Sequence, residues 1–278
     1  MTVTEQAYAK INLFLDVLGR RDDGFHEIYS IMHSVSLSDN LIVTAELSTE
    51  TNITIETETD ELRKDKSNLV YQAVEKYLSY YNIHAKVAVR LEKHIPIGAG
   101  LGGGSSDAAA TLRALNKIFN LATESELVKI SSEIGSDVPF CIAGGLAECT
   151  GRGEIIKPLL DIDKMNFVIA IGSQRVSTPK AFAVLDEKYH NFDLSLYSPA
   201  EYSGKPYNIF ESVIINYEII EIKEIMKKNG AEYTLMSGSG PSVFGVYADM
   251  DSAERAKQKL IENGFSAFTA NSVQRIKI

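Results

Sequence analysis

Cysteine is scarce in this chain. The two residues present, Cys141 and Cys149, form no Cys-x-x-Cys pair and fit no metal-ligand spacing. A disulfide framework and a thiolate metal site are therefore excluded as organising features, and both thiols are expected to be reduced core residues. Histidine does not fill the gap. His26-Glu27 begins a His-Glu pair, but Ser30 stands where a His-Glu-x-x-His helix needs its second histidine, and His33, His84, His94 and His190 lie in unrelated contexts. Basic clusters are missing as well: 28 Lys and Arg face 37 Asp and Glu, for a formal net charge of −9. A nucleic-acid binder would present a basic face. The acidic balance argues against anionic polymers but not against a small phosphorylated ligand, which needs only a local anion site. No apolar run approaches the roughly 18 residues of a membrane span. The segment Met1-Thr2-Val3-Thr4-Glu5 has neither a basic n-region nor an apolar h-region, so a cytoplasmic protein is expected. Internal repeats and low-complexity tracts are absent too.

What is present is ordinary globular material. With 45% hydrophobic and 23% charged residues over 278 positions, one large domain or two of ordinary size can bury a core without a staple. Alternating apolar and polar residues predict strands over 5–17, 41–45, 52–57, 85–93, 167–171, 233–247 (two strands around a turn) and 267–273. Helical spacing predicts helices over 67–82, 105–119, 177–185, 209–228 and 251–263. A further helix opens on Thr123-Glu124-Ser125-Glu126, a capping box. Gly135 and Pro139 bracket an expected short loop, and 189–206 reads as an irregular surface loop. Strands alternate with helices in both halves, which implies two layered α/β domains joined near residues 153–165, here 1–155 and 156–278.

The densest signal is Pro96-Ile97-Gly98-Ala99-Gly100-Leu101-Gly102-Gly103-Gly104-Ser105-Ser106-Asp107, between an expected strand and an expected helix. Five glycines in seven residues allow positive φ and let consecutive amides curl toward one point. The helix behind them aims its free amides and positive dipole end at the same place. Ser105 and Ser106 add hydroxyls for phosphate oxygens or a phosphate-bound Mg2+. A plain turn would not need so many glycines. Gly98-x-Gly100-x-x-Gly103 also fits a dinucleotide-binding loop, a weak pattern alone, whereas Walker A is excluded because no Gly-Lys-Ser/Thr follows.

Three other segments carry chemistry. Lys10 and Asn12 share one face of an N-terminal strand, with Ala9, Ile11 and Leu13 on the other. A lysine among apolar residues needs an anionic partner unless it snorkels. Asp137, in Gly135-Ser136-Asp137-Val138-Pro139-Phe140, offers a carboxylate, although alone it reads as a helix cap. Met236-Ser237-Gly238-Ser239-Gly240-Pro241-Ser242 is a second glycine-serine turn, alone only a hairpin.

Taken together, these segments resemble the GHMP kinase superfamily. Its pattern P-x-x-x-G-L-G-G-G-S-S-D-A-A is matched at every fixed position from Pro96 to Ala109. Asp22-Asp23-Gly24-Phe25-His26-Glu27, Asn68-Leu69-Val70 and Gly151-Arg152-Gly153-Glu154 extend the likeness to the branch that phosphorylates a cytidine diphosphate-linked methylerythritol for isoprenoid synthesis. The resemblance implies an α+β fold of two domains, an N-terminal ribosomal S5 domain-2-like nucleotide domain and a C-terminal ferredoxin-like domain. It implies ATP and Mg2+, with the loop from Pro96 to Ser106 and Asn68 at the nucleotide. Asp137 would be the base for the acceptor hydroxyl, paired with Lys10. Asn12, Phe25, His26 and Phe182 would meet the substrate, His26 reading the cytosine edge and the two phenylalanines enclosing the base. Phe25 replaces the commoner tyrosine of that branch, and His94 stands where Arg or Lys is usual. A superfamily kinase acting on another small alcohol and a nucleotide-binding protein without turnover are the alternative readings.

Overall fold

In the computed structural model, which describes residues 1–160, 164–174, 177–188 and 205–278, two long antiparallel strands open the chain. β1 (Thr2–Arg20) and β2 (His26–Leu47) pair from Thr2 opposite Thr44 to Arg20 opposite His26. β2 continues the sheet to β4 (Ala85–Glu92), which carries β3 (Asn52–Thr57) in parallel. In β4 the residues Ala85, Val87, Val89 and Leu91 are buried while Lys86, Ala88 and Arg90 are exposed, the period of two that its sequence predicts. β5 (Leu146–Thr150) joins β2 and carries β6 (Ile155–Pro158). A two-residue strand from the later half, β8 (Tyr207–Asn208), runs parallel to β1 at Phe14 and Leu15.

Four helices cover this sheet: α1 (Leu69–Tyr80), α2 (Gly103–Phe119), α3 (Glu124–Ser132) and α4 (Val138–Ala143). Val43, Val74, Tyr77, Leu112 and Phe140 meet in the core between helices and sheet. Ala108, Ala109 and Ala110 of α2 are fully buried, and such small side chains let the helix lie close to the strands. α3 begins with the expected capping box: Thr123 donates its amide to Glu126 Oε2 at 2.8 Å, and Glu126 donates its amide to Thr123 Oγ1 at 3.4 Å.

The second sheet contains β7 (Asn166–Ile171), β9 (Tyr233–Met236), β10 (Ser242–Tyr247) and β11 (Ser266–Asn271), in the order β11-β7-β10-β9, all antiparallel. α6 (Tyr217–Lys228) joins β7 to β9, and α7 (Met250–Glu262) joins β10 to β11. This is the β-α-β-β-α-β arrangement of a ferredoxin-like unit. α5 (Thr178–Lys188) follows β7 as an additional helix. Phe167, Val168, Ile169 and Ala170 are all buried, because helices cover one face of the strand and the first sheet the other. Ile11, Phe14, Ile31 and Val35 from β1 and β2 share one core with Phe167, Ile169 and Phe244.

Several expectations need correction. The helix expected over 209–228 is broken: a 3₁₀ turn, Ile209–Ser212, precedes α6. Asn208 accepts the Phe210 amide and Asn216 accepts the Glu218 amide, so each side chain starts a separate helix. The loop expected between Gly135 and Pro139 already contains the start of α4, with Pro139 in its first turn, where a missing amide costs nothing. β6 is a strand that no alternation in its sequence marks. The loop expected over 189–206 lies outside the described residues except for its last two. Among the described residues no helix is long and apolar enough to cross a membrane.

Candidate active site

Lys10 is buried on β1, and its amide donates to the Leu101 carbonyl at 2.9 Å, which stitches the strand to the glycine loop. Its ammonium donates to Asn12 Oδ1 at 2.9 Å and lies 3.5 Å from Asp137 Oδ2. Asn12, on the same strand face as expected, is fully enclosed. Its Oδ1 also accepts the Gly238 amide at 3.0 Å, and its Nδ2 donates to Ser30 Oγ at 2.9 Å. One buried amide thus holds both the lysine and the second glycine turn. Asp137 occupies the cap position of α4 yet caps nothing. Its side chain, 30% exposed, turns to Lys10 instead.

The glycine loop runs beside this pair. Gly98, Gly100 and Gly102 have φ of 69°, 79° and 68°, a region that L side chains seldom enter. A Cβ on Gly100 would come within 2.5 Å of the Ser237 carbonyl oxygen, and one on Gly102 within 2.8 Å of Lys10 Cγ. The second glycine turn packs directly on the first: Ser237 Oγ donates to the Gly100 carbonyl at 3.1 Å, and the Ser242 amide donates to Ala99 O at 3.2 Å. Gly102 stands at the cap position before the 17-residue α2, and no side chain caps that helix. The amides there and the positive helix end are left for an anion.

Ser105 and Ser106, expected to act side by side, part company. Consecutive helical residues point about 100° apart. Ser105 lines the cavity that holds Lys10 and Asp137, whereas Ser106 is buried and donates its hydroxyl to the Tyr8 carbonyl at 2.5 Å. Leu101 likewise turns its side chain into the core and offers only backbone.

That cavity, of about 680 Å³, extends from Lys10, Asp137 and Ser105 to Phe25, His26 and Phe182. Phe25 is half exposed, with the Arg152 guanidinium 4.7 Å from its ring centre. The His26 ring stacks on Phe182 at 4.5 Å, and its Nε2 is 2.7 Å from Asp186 Oδ1. Phe182 also meets Phe210 edge to face at 4.9 Å. Phe25 and Phe182 therefore border one space, but His26 covers a face of Phe182 that an enclosed base would otherwise take. Arg152 and Asp186 were not singled out from the sequence. Asp186 sits one helical turn after Phe182, and that spacing was the available signal.

The glycine loop also borders two smaller cavities. Pro96, Ile97, Gly98 and Ala99 line one of about 440 Å³ with Lys93, His94 and Gly172. Gly104 lines another of about 220 Å³ with Asn68, Leu69 and Asp107. Asn68 caps α1 by accepting the Val70 amide and donates to Arg63 O at 2.6 Å, so its polar atoms are engaged at the rim of this space. No cluster of three or more metal-ligating side chains occurs among the described residues.

The chain matches the GHMP kinases N terminal domain over residues 68–145 and the GHMP kinases C terminal domain over 201–266. It is 41% identical to the 4-diphosphocytidyl-2-C-methyl-D-erythritol kinase of Caldicellulosiruptor saccharolyticus over 92% of this chain and 91% of that one. Identity to the enzyme of the same name from Enterococcus faecalis is 44%, over 96% of each chain. A crystal structure of 4-(cytidine 5'-diphospho)-2C-methyl-D-erythritol kinase superposes with a TM-score of 0.79 at 32% identity, covering 97% of this chain and 99% of the other. A homoserine kinase from Cytophaga hutchinsonii shares the fold, with a TM-score of 0.74 at 18% identity over 99% of this chain and 95% of its own.

Proposed function

The chain belongs to the GHMP kinases and, within them, to the 4-diphosphocytidyl-2-C-methyl-D-erythritol kinase family, and from that premise we propose how its residues transfer a phosphoryl group from ATP to the 2-hydroxyl of that cytidyl substrate. The observation that carries the reading is the meeting of three features on one cavity: the Lys10–Asp137 pair, the uncapped first turn of α2, and the aromatic end at Phe25, His26 and Phe182.

The glycine loop fits a polyphosphate. Its positive-φ glycines let the backbone pack against Lys10 and the second glycine turn where a Cβ would clash, and the first turn of α2 beside it has no capping side chain. ATP, bound there, supplies the phosphoryl group. Mg2+ would be held by phosphate oxygens and the Ser105 hydroxyl, and it neutralises phosphate charge; no carboxylate cluster stands ready for it among the described residues.

Phosphoryl transfer asks the protein for positioning and charge stabilisation. Asp137 Oδ2 accepts the proton of the acceptor hydroxyl. Lys10 holds that carboxylate across the ion pair and, with its hydrogen bond to Asn12, fixes where it points. The α2 amides stabilise negative charge as it moves between phosphates. At the far end, Phe25 provides flat apolar surface, and His26, backed by the Phe182 ring, a polar edge for the cytosine.

An ADP-release assay with the cytidyl substrate, mevalonate and homoserine tests this reading. Turnover is expected with the cytidyl substrate and negligible turnover with the other two. Preference for either of the others would move the chain to a different acceptor, and ATP binding without ADP release from any would remove the enzymatic reading.

A further inference from the structure

Both ends of the glycine loop are tied to one buried cluster that the chemistry above does not use. Asp39, on β2, is fully buried. Its Oδ1 accepts the amides of His94 at 2.5 Å and Ile95 at 2.7 Å, the residues just before Pro96. Its Oδ2 accepts the Lys93 ammonium. Lys93 reaches on to Asp107 Oδ2 at 2.8 Å, in the opening turns of α2, just beyond the loop. A Cβ on Gly103 would stand 3.3 Å from Lys93 Nζ and 3.0 Å from Ile95 Cγ2, so the ammonium lies under the first helical residue.

We propose that Asp39, Lys93 and Asp107 form a clamp that fixes the two ends of the phosphate loop relative to each other and so aims the α2 amides at ATP. All three are positioning residues, and their role rests on the reading of this loop as the ATP site. A stretch so rich in glycine has much backbone freedom to lose, and amide donors bind an anion well only when aimed beforehand. Holding both ends of the loop removes part of that freedom before the nucleotide arrives.

The charge balance supports the same assignment. One ammonium faces two buried carboxylates. Burial pushes the Asp107 carboxyl up to about 8; Asp39 pushes the same way, and Lys93 opposes. The groups facing it are Lys93 at the end of β4 and Asp39 on β2, and Arg63 lines the same small cavity. Asp107 Oδ1 makes no hydrogen bond, which a protonated carboxyl tolerates better than a carboxylate. Above that pH Asp107 adds a negative charge behind an anion site.

Calorimetric titration of the full chain with ATP tests the clamp without an acceptor. Lys93→Met is expected to weaken ATP binding roughly 10- to 100-fold, the scale of a small misplacement of binding groups. Asp107→Asn, an isostere that does not titrate, should lack the loss of affinity that wild type shows as pH rises through about 8. Wild-type affinity in a folded Lys93→Met chain, or identical pH profiles for wild type and Asp107→Asn, overturns the clamp. If Lys93→Met does not fold, the Asp107→Asn comparison decides alone. A wild-type chain that binds no ATP at all removes the nucleotide reading and the clamp with it.

Discussion

At the scale of single residues, Asp137 is the position where local and tertiary logic diverge. Its neighbours make it a helix cap, and it does stand at the start of α4, yet its carboxylate is spent on Lys10. The sequence could offer both readings but not choose, because the partner lies far away in the chain and only the fold brings it within 3.5 Å. Lys10 and Asn12 were legible, since a period of two is a local property of a strand. Ser106 was not: its inward turn depends on the Tyr8 carbonyl, a contact made by packing. Two predictions follow from these side chains. Ser105→Ala should weaken ATP binding while Ser106→Ala leaves it within about twofold, because only the first hydroxyl faces the cavity. The second concerns Asp107, whose folded pKa is raised from 3.8 to about 8. The folded chain therefore holds a proton that the unfolded chain releases, and stability from this group falls as pH rises across that window. Asp107→Asn should gain in melting temperature relative to wild type as pH increases from 5 to about 8. A constant difference across that range would mean that Asp107 is ionised in the folded protein.

Among the elements, the loop and α2 act together. The glycine density announced a backbone cradle, and the helix behind it could be read from its spacing. The fit of the second glycine turn against the first could not, because it is set by the meeting of β9 and β10 with the loop at Gly100 and Ser237. That meeting predicts the effect of a minimal change. Gly102→Ala places a methyl group against Lys10 in a left-handed conformation, which costs about 1–2 kcal/mol from the backbone alone. The variant should be less stable and slower in turnover, whereas Gly104→Ala, whose Cβ meets only Leu69 at 3.6 Å, should be tolerated in stability. Equal thermal shifts in the two variants would argue against the packing described. The break between Ile209–Ser212 and α6 was hidden for a related reason: helical spacing runs through it, and only the caps at Asn208 and Asn216 divide it.

Across the whole molecule, two sheets share a core, and the large cavity takes its walls from both halves of the chain. Lys10, Ser105 and Asp137 come from one half, Phe182 and Asp186 from the other. Alternation of strands and helices was enough to expect two α/β layers, but not to expect that β8 would leave the later half and complete the first sheet. This division of the walls predicts a division of kinetic effects. Phe182→Ala, which removes the ring that His26 stacks on, should raise KM for the cytidyl substrate about tenfold, with the affinity for ATP unchanged. The central claim is that Asp137, held by Lys10, takes the proton of the acceptor hydroxyl. Single-turnover phosphoryl transfer by Asp137→Asn, measured beside direct ATP binding, tests it most directly. The account predicts a rate lower by roughly 10²–10⁴ with ATP affinity essentially that of wild type; turnover near the wild-type rate would contradict it.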